Sequence, residues 1–248
     1  MTGPALRVED RGDFVLATLD RPEKRNAIDR AVVDALHALC ADLESQPRTL
    51  VLRGAGGSFA AGADIAQLRE RTAADARAGI NTRAFMRVHA LPMPVIAVLD
   101  GHALGGGAEL AYSADIRIGT HALTIGNPEP GLGIIAAAGA SWRLREIVGD
   151  GLAAEMLLAG RILTGAEAFA AGLITHLHDD GDAAFAAAAA IAQRIARLDA
   201  AAVQASKRVL GAPRSAHPQI DLAEQAILFD SPEKHRRMTA FLERKQQR

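Results

Sequence analysis

The chain has a single cysteine, Cys40, so no disulfide can form within it. The same scarcity excludes a metal site built from several cysteines, and no metal is expected. Neither charge sign dominates: 28 lysines and arginines stand against 29 aspartates and glutamates, a formal net charge of -1. Nucleic-acid binders are usually markedly basic, so no such partner is expected. No stretch reaches membrane-spanning length without charge, and no membrane partner is expected. Glu9 and Asp10 arrive before any apolar leader region, so no signal-peptide pattern opens the chain. A soluble cytoplasmic protein is the resulting expectation. Internal repeats and low-complexity linkers are missing too. What is present is ordinary globular composition: 248 residues, 49% apolar and 23% charged. That length supports a sizeable core, as one domain or one domain with a small appendage.

Leu6–Glu9 and Phe14–Leu19 read as strands joined by a turn at Asp10–Asp13. The Arg11-Gly12-Asp13 triplet is better explained as a hairpin turn than as an adhesion tripeptide. Asp29 is placed to cap a helix over Arg30–Leu43, with Val32, Val33, Leu36, Leu39 and Leu43 on its apolar face. Thr49–Arg53 is a strand, and Gly54–Ile65 a loop of small residues suited to close backbone approach. One helix is predicted over Ala73–Ala90, ended by Pro92 and Pro94. Strands follow at Val95–Leu99, Asp115–Gly119 and Ala122–Ile125, with a helix over Ala108–Ser113 between the first two. Alternating strands and helices imply an α/β core with crossover connections. Beyond Gly139 the pattern is mostly helical. Segments lie near Ser141–Val148, Ala153–Leu158 and Ala166–Ala171, and a last strand at Leu173–Leu177. Helices are then expected over Asp182–Leu198, Ala200–Leu210, His217–Phe229 and Glu233–Arg244.

Residues 94–131 hold the most concentrated chemistry. The strand Val95–Leu99 runs into Gly105-Gly106-Gly107, and Glu109 follows at a helix start. A glycine turn before a helix lets backbone N–H groups point at an anionic group. Glu129 comes 20 residues after Glu109, beside Pro128 and Pro130, and the two carboxylates are candidates for proton transfer. His102 is read as a packing or hydrogen-bonding residue, His121 falls in a turn, and His176 and His178 offer no metal constellation.

These residues resemble the crotonase, or enoyl-CoA hydratase/isomerase, superfamily, and the pattern is most like its bacterial hydratases. The resemblance is carried by Asp20-Arg21-Pro22 with Asn26-Ala27, Ala61-Gly62-Ala63-Asp64-Ile65, Gly101–Glu109, Pro128-Glu129 and Gly131-Leu132-Gly133. Gly160-Arg161, Ala166-Glu167-Ala168, Gly172-Leu173-Ile174 and Ala240–Arg244 extend it over nearly the whole chain. It implies an α/β fold: a crotonase-like ββα spiral core over residues 1–195, then a helical region over 196–248 used for trimerisation. A homotrimer or a dimer of trimers is the implied assembly. The implied partner is an acyl-CoA thioester. No separate cofactor is expected, because coenzyme A is carried by the substrate.

The resemblance further implies that the Ala63 and Gly106 N–H groups form an oxyanion hole for the thioester oxygen. Donors aimed at charge that develops in the transition state contribute most there. Glu109 and Glu129 match the paired glutamates of family hydratases: Glu109 activates water, and Glu129 exchanges a proton with the α-carbon. Arg25, Asn26, Ala27, Ala61, Gly62, Asp64 and Ile65 are expected along the coenzyme A cleft, with Gly105 and Pro128 beside the reacting centre. Asn127 is expected to support Glu129. Phe241 and Arg244 match positions that reach a neighbouring subunit's nucleotide end; Arg244 reads equally well as a cation at a helix C-terminus.

Two departures stand out. Ala66 replaces a lysine common after Ala-Asp-Ile, removing one phosphate contact. The run Gly133-Ile134-Ile135-Ala136-Ala137-Ala138-Gly139 places Ala137 where a glycine N–H commonly helps bind the catalytic water. An alanine can replace it only with negative φ. Three functions follow: reversible hydration of a trans-2-enoyl-CoA, Δ3,Δ2-enoyl-CoA isomerisation or related enolate chemistry, and acyl-CoA binding with little turnover.

Overall fold

A computed structural model describes residues 4–246. The N-terminal hairpin forms as expected. β1 (Leu6–Asp10) pairs antiparallel with β2 (Val15–Leu19), and Gly12 N–H donates to Asp10 Oδ1 at 2.7 Å in the turn. Asp29 caps α1 (Arg30–Ser45), its carboxylate accepting from Val32 N–H at 3.1 Å. All five residues of the expected apolar face of α1 are buried. β3 (Leu50–Gly54) then pairs in parallel with β2.

The segment after β3 corrects the sequence reading. It holds three helices: α2 (Ile65–Glu70), α3 (Ala73–Ala78) and α4 (Ile80–His89). Gly79, in the left-handed region at φ 63°, divides what the apolar pattern predicts as one helix. Local caps account for the short pieces. Asp64 accepts from Ala66 and Gln67 N–H groups to start α2, and Thr72 with Asp75 forms a capping box for α3.

The remaining core is β4 (Val95–Leu99), β5 (His102–Leu104), α5 (Gly106–Ser113), β6 (Ile116–Thr120) and β7 (Thr124–Gly126). A π-helical turn over Ala140–Leu144 leads into α6 (Arg145–Val148), followed by α7 (Asp150–Leu158), β8 (Ile162–Thr164), α8 (Gly165–Ala170) and β9 (His176–His178). β5 and β8 have only three residues each, too few for a recognisable alternation. The last strand starts at His176 rather than Leu173, because Leu173 and Ile174 belong to the turn and bend before it, where both are buried.

The strands form two sheets, one ordered β1-β2-β3-β4-β6-β9 and one ordered β5-β7-β8. β4, five buried apolar residues, lies between β3 and β6 and is parallel to both, as a strand covered on both faces requires. The chain visits the sheets in turn. β4 lies in the large sheet, β5 in the small, and α5 follows; β6 and β7 repeat the step. Ala60 extends the small sheet by one isolated parallel bridge to Ala103. This is a ββα spiral. Leu36 of α1, Phe85 and Val88 of α4 and Leu99 of β4 share one apolar core.

Two compact units emerge, Met1–Gln193 and Arg194–Arg248. The first holds both sheets. The second holds the end of α9 (Gly181–Ala196), then α10 (Ala200–Leu210), α11 (Gln219–Phe229) and α12 (Pro232–Gln246). Among the described residues, no helix is long and apolar enough to cross a membrane.

One of the closest backbone approaches in the spiral is at Gly107. A Cβ there would lie 2.1 Å from the Ala60 carbonyl oxygen, well inside contact distance. Gly107→Ala should therefore destabilise the fold by about 1–3 kcal/mol, the usual cost of overpacking. Urea denaturation measures the loss, and an unchanged midpoint would show that the backbone at Ala60 yields freely.

Candidate active site

The loop after β3 and the turn before α5 meet through backbone pairing. Ala60 N–H donates to His102 O at 2.9 Å, and Leu104 N–H donates to Ala60 O at 3.0 Å. A second bridge joins Ile28 to Ala63: Ile28 N–H donates to Gly62 O at 2.8 Å and Asp64 N–H to Ile28 O at 3.2 Å. In such a parallel bridge the central residue's own N–H faces the other way. Among the described residues, neither Ala63 N–H nor Gly106 N–H donates to a protein acceptor. Gly106 is the first residue of α5, where an N–H has no partner within the helix. A methyl placed on Gly106 would lie 3.7 Å from Ala63 N, so the two amides border one space.

That space belongs to a cavity of about 620 Å³ in the first unit. Ala61, Gly62, Ala63 and Ile65 line one side, with Gly105 and Gly106 next to them. Glu109, Pro128, Glu129 and Ala137 line it as well. The expected pair of carboxylates and pair of amides thus share one cavity.

Each carboxylate is anchored through one oxygen. Glu109, 4% exposed, accepts at Oε1 from Ala138 N–H at 2.6 Å and Ala140 N–H at 3.2 Å. Burial raises its pKa to about 7, against the two amide hydrogen bonds, which lower it; the nearby Glu129 charge raises it further. Glu129 Oε1 lies 3.4 Å from Asn127 Nδ2, while its Oε2 is buried with no hydrogen-bond partner among the described residues. Burial raises the Glu129 pKa as well, opposed by hydrogen bonds from its own backbone and Asn127.

Tyr112, which the sequence reading did not single out, completes this support. Its hydroxyl donates to Asn127 Oδ1 at 3.0 Å, and full burial raises its pKa so that it stays a neutral donor. Asn127, itself fully buried, therefore turns its amide nitrogen toward Glu129. Gly105 sits close by at φ 52°; a Cβ there would also lie 3.3 Å from Glu129 Oε1.

Several residues expected along the ligand lie outside the lining of this cavity. Arg25 is exposed and Ala27 half-buried, and neither lines the cavity. Asn26 is buried and its side chain is spent on backbone: Oδ1 accepts from Arg21 N–H, and Nδ2 donates to Ala55 O and Ser58 O. Arg25 and Asn26 are the two non-glycine residues with positive φ among those described, at 49° and 56°. Asn26 therefore fixes a bend. Asp64 likewise caps α2, and those two amide bonds, with Lys24 beside it, lower its pKa. Phe241 and Arg244 lie on α12 of the second unit; Phe241 is 61% exposed, and Arg244 Nε donates to Ala240 O at 3.1 Å.

The cavity also has a polar wall that no motif announces. Arg71, Asn81 and Thr82 line it, the latter two because Gly79 starts a new helix there. Thr82 Oγ1 donates to Ala137 O at 3.1 Å, tying α4 to the alanine run. Ala137 keeps negative φ, which satisfies the condition for its N–H to face the cavity. His102, half-buried in β5, bonds Thr124 Oγ1 through Nδ1 at 2.9 Å, outside the cavity lining. Among the described residues no cluster could hold a metal ion.

The charge on Glu109 has a stability consequence. Its ordinary value is 4.5 and its folded value about 7. Between them the folded chain holds a proton that the unfolded chain has released, so stability falls as pH rises through this window. The cost of the buried charge is absent below 4.5 and complete above about 7. Glu109→Gln keeps an oxygen for the two amides and never carries the charge. It should be more stable than wild type by on the order of 1–3 kcal/mol at about pH 8, with the advantage shrinking toward about pH 5. Urea melts at both pH values test this, and a pH-independent offset would assign the gain to something other than charge.

The chain matches the description Enoyl-CoA hydratase/isomerase over residues 11–248. It is 32% identical to a short-chain-enoyl-CoA hydratase of Clostridium acetobutylicum over 249 residues, covering 96% of this chain and 94% of the relative. It is 33% identical to a 2,3-dehydroadipyl-CoA hydratase of Escherichia coli over 248 residues, covering 97% and 96%. Its fold superposes on the crystal structure of an enoyl-CoA hydratase from Thermoplasma volcanium with a TM-score of 0.88 and 33% identity, covering 96% of this chain and 97% of that one. With two carboxylates and two open amides at one cavity, and similarity along its length, the chain belongs to the enoyl-CoA hydratase/isomerase family.

Proposed function

We propose that the protein catalyses the reversible hydration of a trans-2-enoyl-CoA to a 3-hydroxyacyl-CoA. The observation that carries this reading is the convergence of Glu109, Glu129 and the open amides of Ala63 and Gly106 on one cavity. The thioester oxygen accepts from the two amides. Water, held between the carboxylates, attacks the β-carbon and gives a proton to Glu109. The C2–C3 double bond shifts to an enolate, whose negative oxygen the amides stabilise. Glu129, protonated, delivers a proton to the α-carbon, and the C=O bond re-forms. Water has then added across the double bond, and one proton has passed from Glu129 to Glu109. Elevated pKa values at both carboxylates suit a pair that holds one proton between them near neutrality.

Gly105, Gly62 and Pro128 shape the centre, and Ala61 and Ile65 border the path of the pantetheine arm. Asn127 orients Glu129. Arg25 and Arg244 are proposed phosphate contacts, the latter with Phe241 across a subunit boundary. Leu210, Leu222, Ile227, Phe229 and Phe241 of the second unit are large apolar side chains left exposed. They support a homotrimer or a dimer of trimers built through the region after residue 195. A cytoplasmic location accords with an acyl-CoA substrate.

The assay follows the absorbance of the conjugated thioester. Crotonyl-CoA and longer 2-enoyl-CoAs should lose it, and 3-enoyl-CoAs should not gain it. Gain from 3-enoyl-CoAs without loss from 2-enoyl-CoAs would make the protein an isomerase, for which the unpaired Glu129 Oε2 is also suited. Acyl-CoA binding with neither change would leave a binding protein. Glu109→Gln should cripple hydration. Gly106→Pro, at a helix position that tolerates proline, removes one oxyanion donor and should lower kcat by about 10²–10³-fold. Hydration at wild-type rate in either variant would sink the role given to that residue.

A further inference from the structure

The cavity's polar wall contains a feature that the proposed chemistry does not use. Arg71 Nη1 and Nη2 both lie 3.3 Å from Asn81 Oδ1. A guanidinium only donates, so the Asn81 oxygen must face Arg71, and the amide nitrogen must point away from it. That nitrogen points at the reacting centre. A methyl on Gly106 would lie 3.6 Å from Asn81 Nδ2 and 3.7 Å from Ala63 N. One point in the cavity is thus ringed by Gly106, the Ala63 amide and the Asn81 amide. Among the described residues, Asn81 Nδ2 has no acceptor.

We propose that Asn81 supplies a third, side-chain donor to the thioester oxygen, and that Arg71 is the positioning residue that holds its amide in the donating orientation. This rests on the reading that a thioester carbonyl sits between Ala63 and Gly106. The chemistry is direct. The two backbone amides are fixed by the bridges at residues 28 and 60, whereas Asn81 arrives from the first turn of α4 and can follow the oxygen as it gains charge. A neutral amide beside a cation is also polarised, which makes its N–H a better donor. Ile80, Leu132 and Ile134 line the cavity alongside these polar groups.

The test uses the full-length protein and a dimethylaminocinnamoyl thioester of coenzyme A, a conjugated chromophore whose absorbance moves to the red when its carbonyl is polarised. Asn81→Leu removes the donor. Asn81→Asp replaces it by an acceptor while keeping a partner for Arg71, so it guards against loss of fold, which thermal melting also monitors. Both variants should lose at least half of the red shift shown by the wild type. Both should lower kcat by about 10–100-fold with KM changed far less, less than the roughly 10²–10³-fold typical of a lost oxyanion donor because two backbone donors remain. Arg71→Ala should fall between wild type and these variants in red shift. A wild-type shift retained in Asn81→Leu and Asn81→Asp, or no shift in the wild type, overturns the proposal. The two readings fail separately. An Asn81-dependent shift without turnover of any 2-enoyl-CoA removes the hydratase function and keeps the donor. Turnover with an Asn81-independent shift does the reverse.

Discussion

The site depends on one short piece of backbone pairing, the bridge between Ala60 and Ala103. It makes only two hydrogen bonds, yet it sets the loop after β3 against the turn before α5. Gly107 lets the two chains approach to a distance that any side chain would block. The bridge from Ile28 to Ala63 then fixes which way the Ala63 N–H points. Neither bridge forms part of a long strand. Extended pairing would consume alternate N–H groups along the loop, whereas one bridge at a time fixes position and leaves an adjacent donor open. Unpaired amides normally carry a cost when shielded from water, and this fold leaves those of Ala63 and Gly106 at one cavity.

Helix α5 organises the other half of the site. All eight of its residues are buried, which makes it a rigid support. Its first residue, Gly106, offers an N–H, and Glu109 projects from the first turn. Tyr112 lies three residues further on the same helix, and through Asn127 it sets Glu129. One helix therefore holds one carboxylate directly and the other through a two-step relay. Both acids are held at Oε1, which leaves each second oxygen for the cavity. The electrostatic cost is shared in an instructive way. Two amide bonds on Glu109 offset part of its burial, while Glu129 has the weaker Asn127 bond. Burial raises both acids above the ordinary carboxylate range, Glu109 to about 7.

Much of this was legible in the sequence, for identifiable reasons. The run Val95–Leu99 and the cap at Asp29 act through local signals, apolar continuity and a side-chain acceptor, and both elements form as read. The glycine triplet and the two glutamates carry chemistry in their spacing. What stayed hidden depends on tertiary contact. The Asn26 amide closes a bend between Arg21, Ala55 and Ser58, and no local pattern encodes that. Tyr112 sits in an apolar stretch and gains meaning only when Asn127 arrives from β7. β5 and β8 are too short for periodicity to register. Gly79 was the one available clue to Asn81: a glycine inside an apolar helical pattern marks a break, and a break resets which residues face the cavity.

The alanine run after Gly133 sharpens the same point about what glycine is needed for. A glycine matters where φ is positive or where a Cβ has no room; an N–H donor requires neither. Ala138 and Ala140 both donate to Glu109 Oε1, and the residue between them, Gly139, adopts φ 141° and is kept as glycine. The bend that converges the two amides on one oxygen is therefore preserved. Ala137 holds negative φ and turns its carbonyl to Thr82. Thr82 follows Asn81 on α4, so one turn of that helix both braces the run that holds Glu109 and presents a polar group to the amides across the cavity. With alanine at 137 the anchoring of Glu109 is intact, and α4 braces the run that provides it.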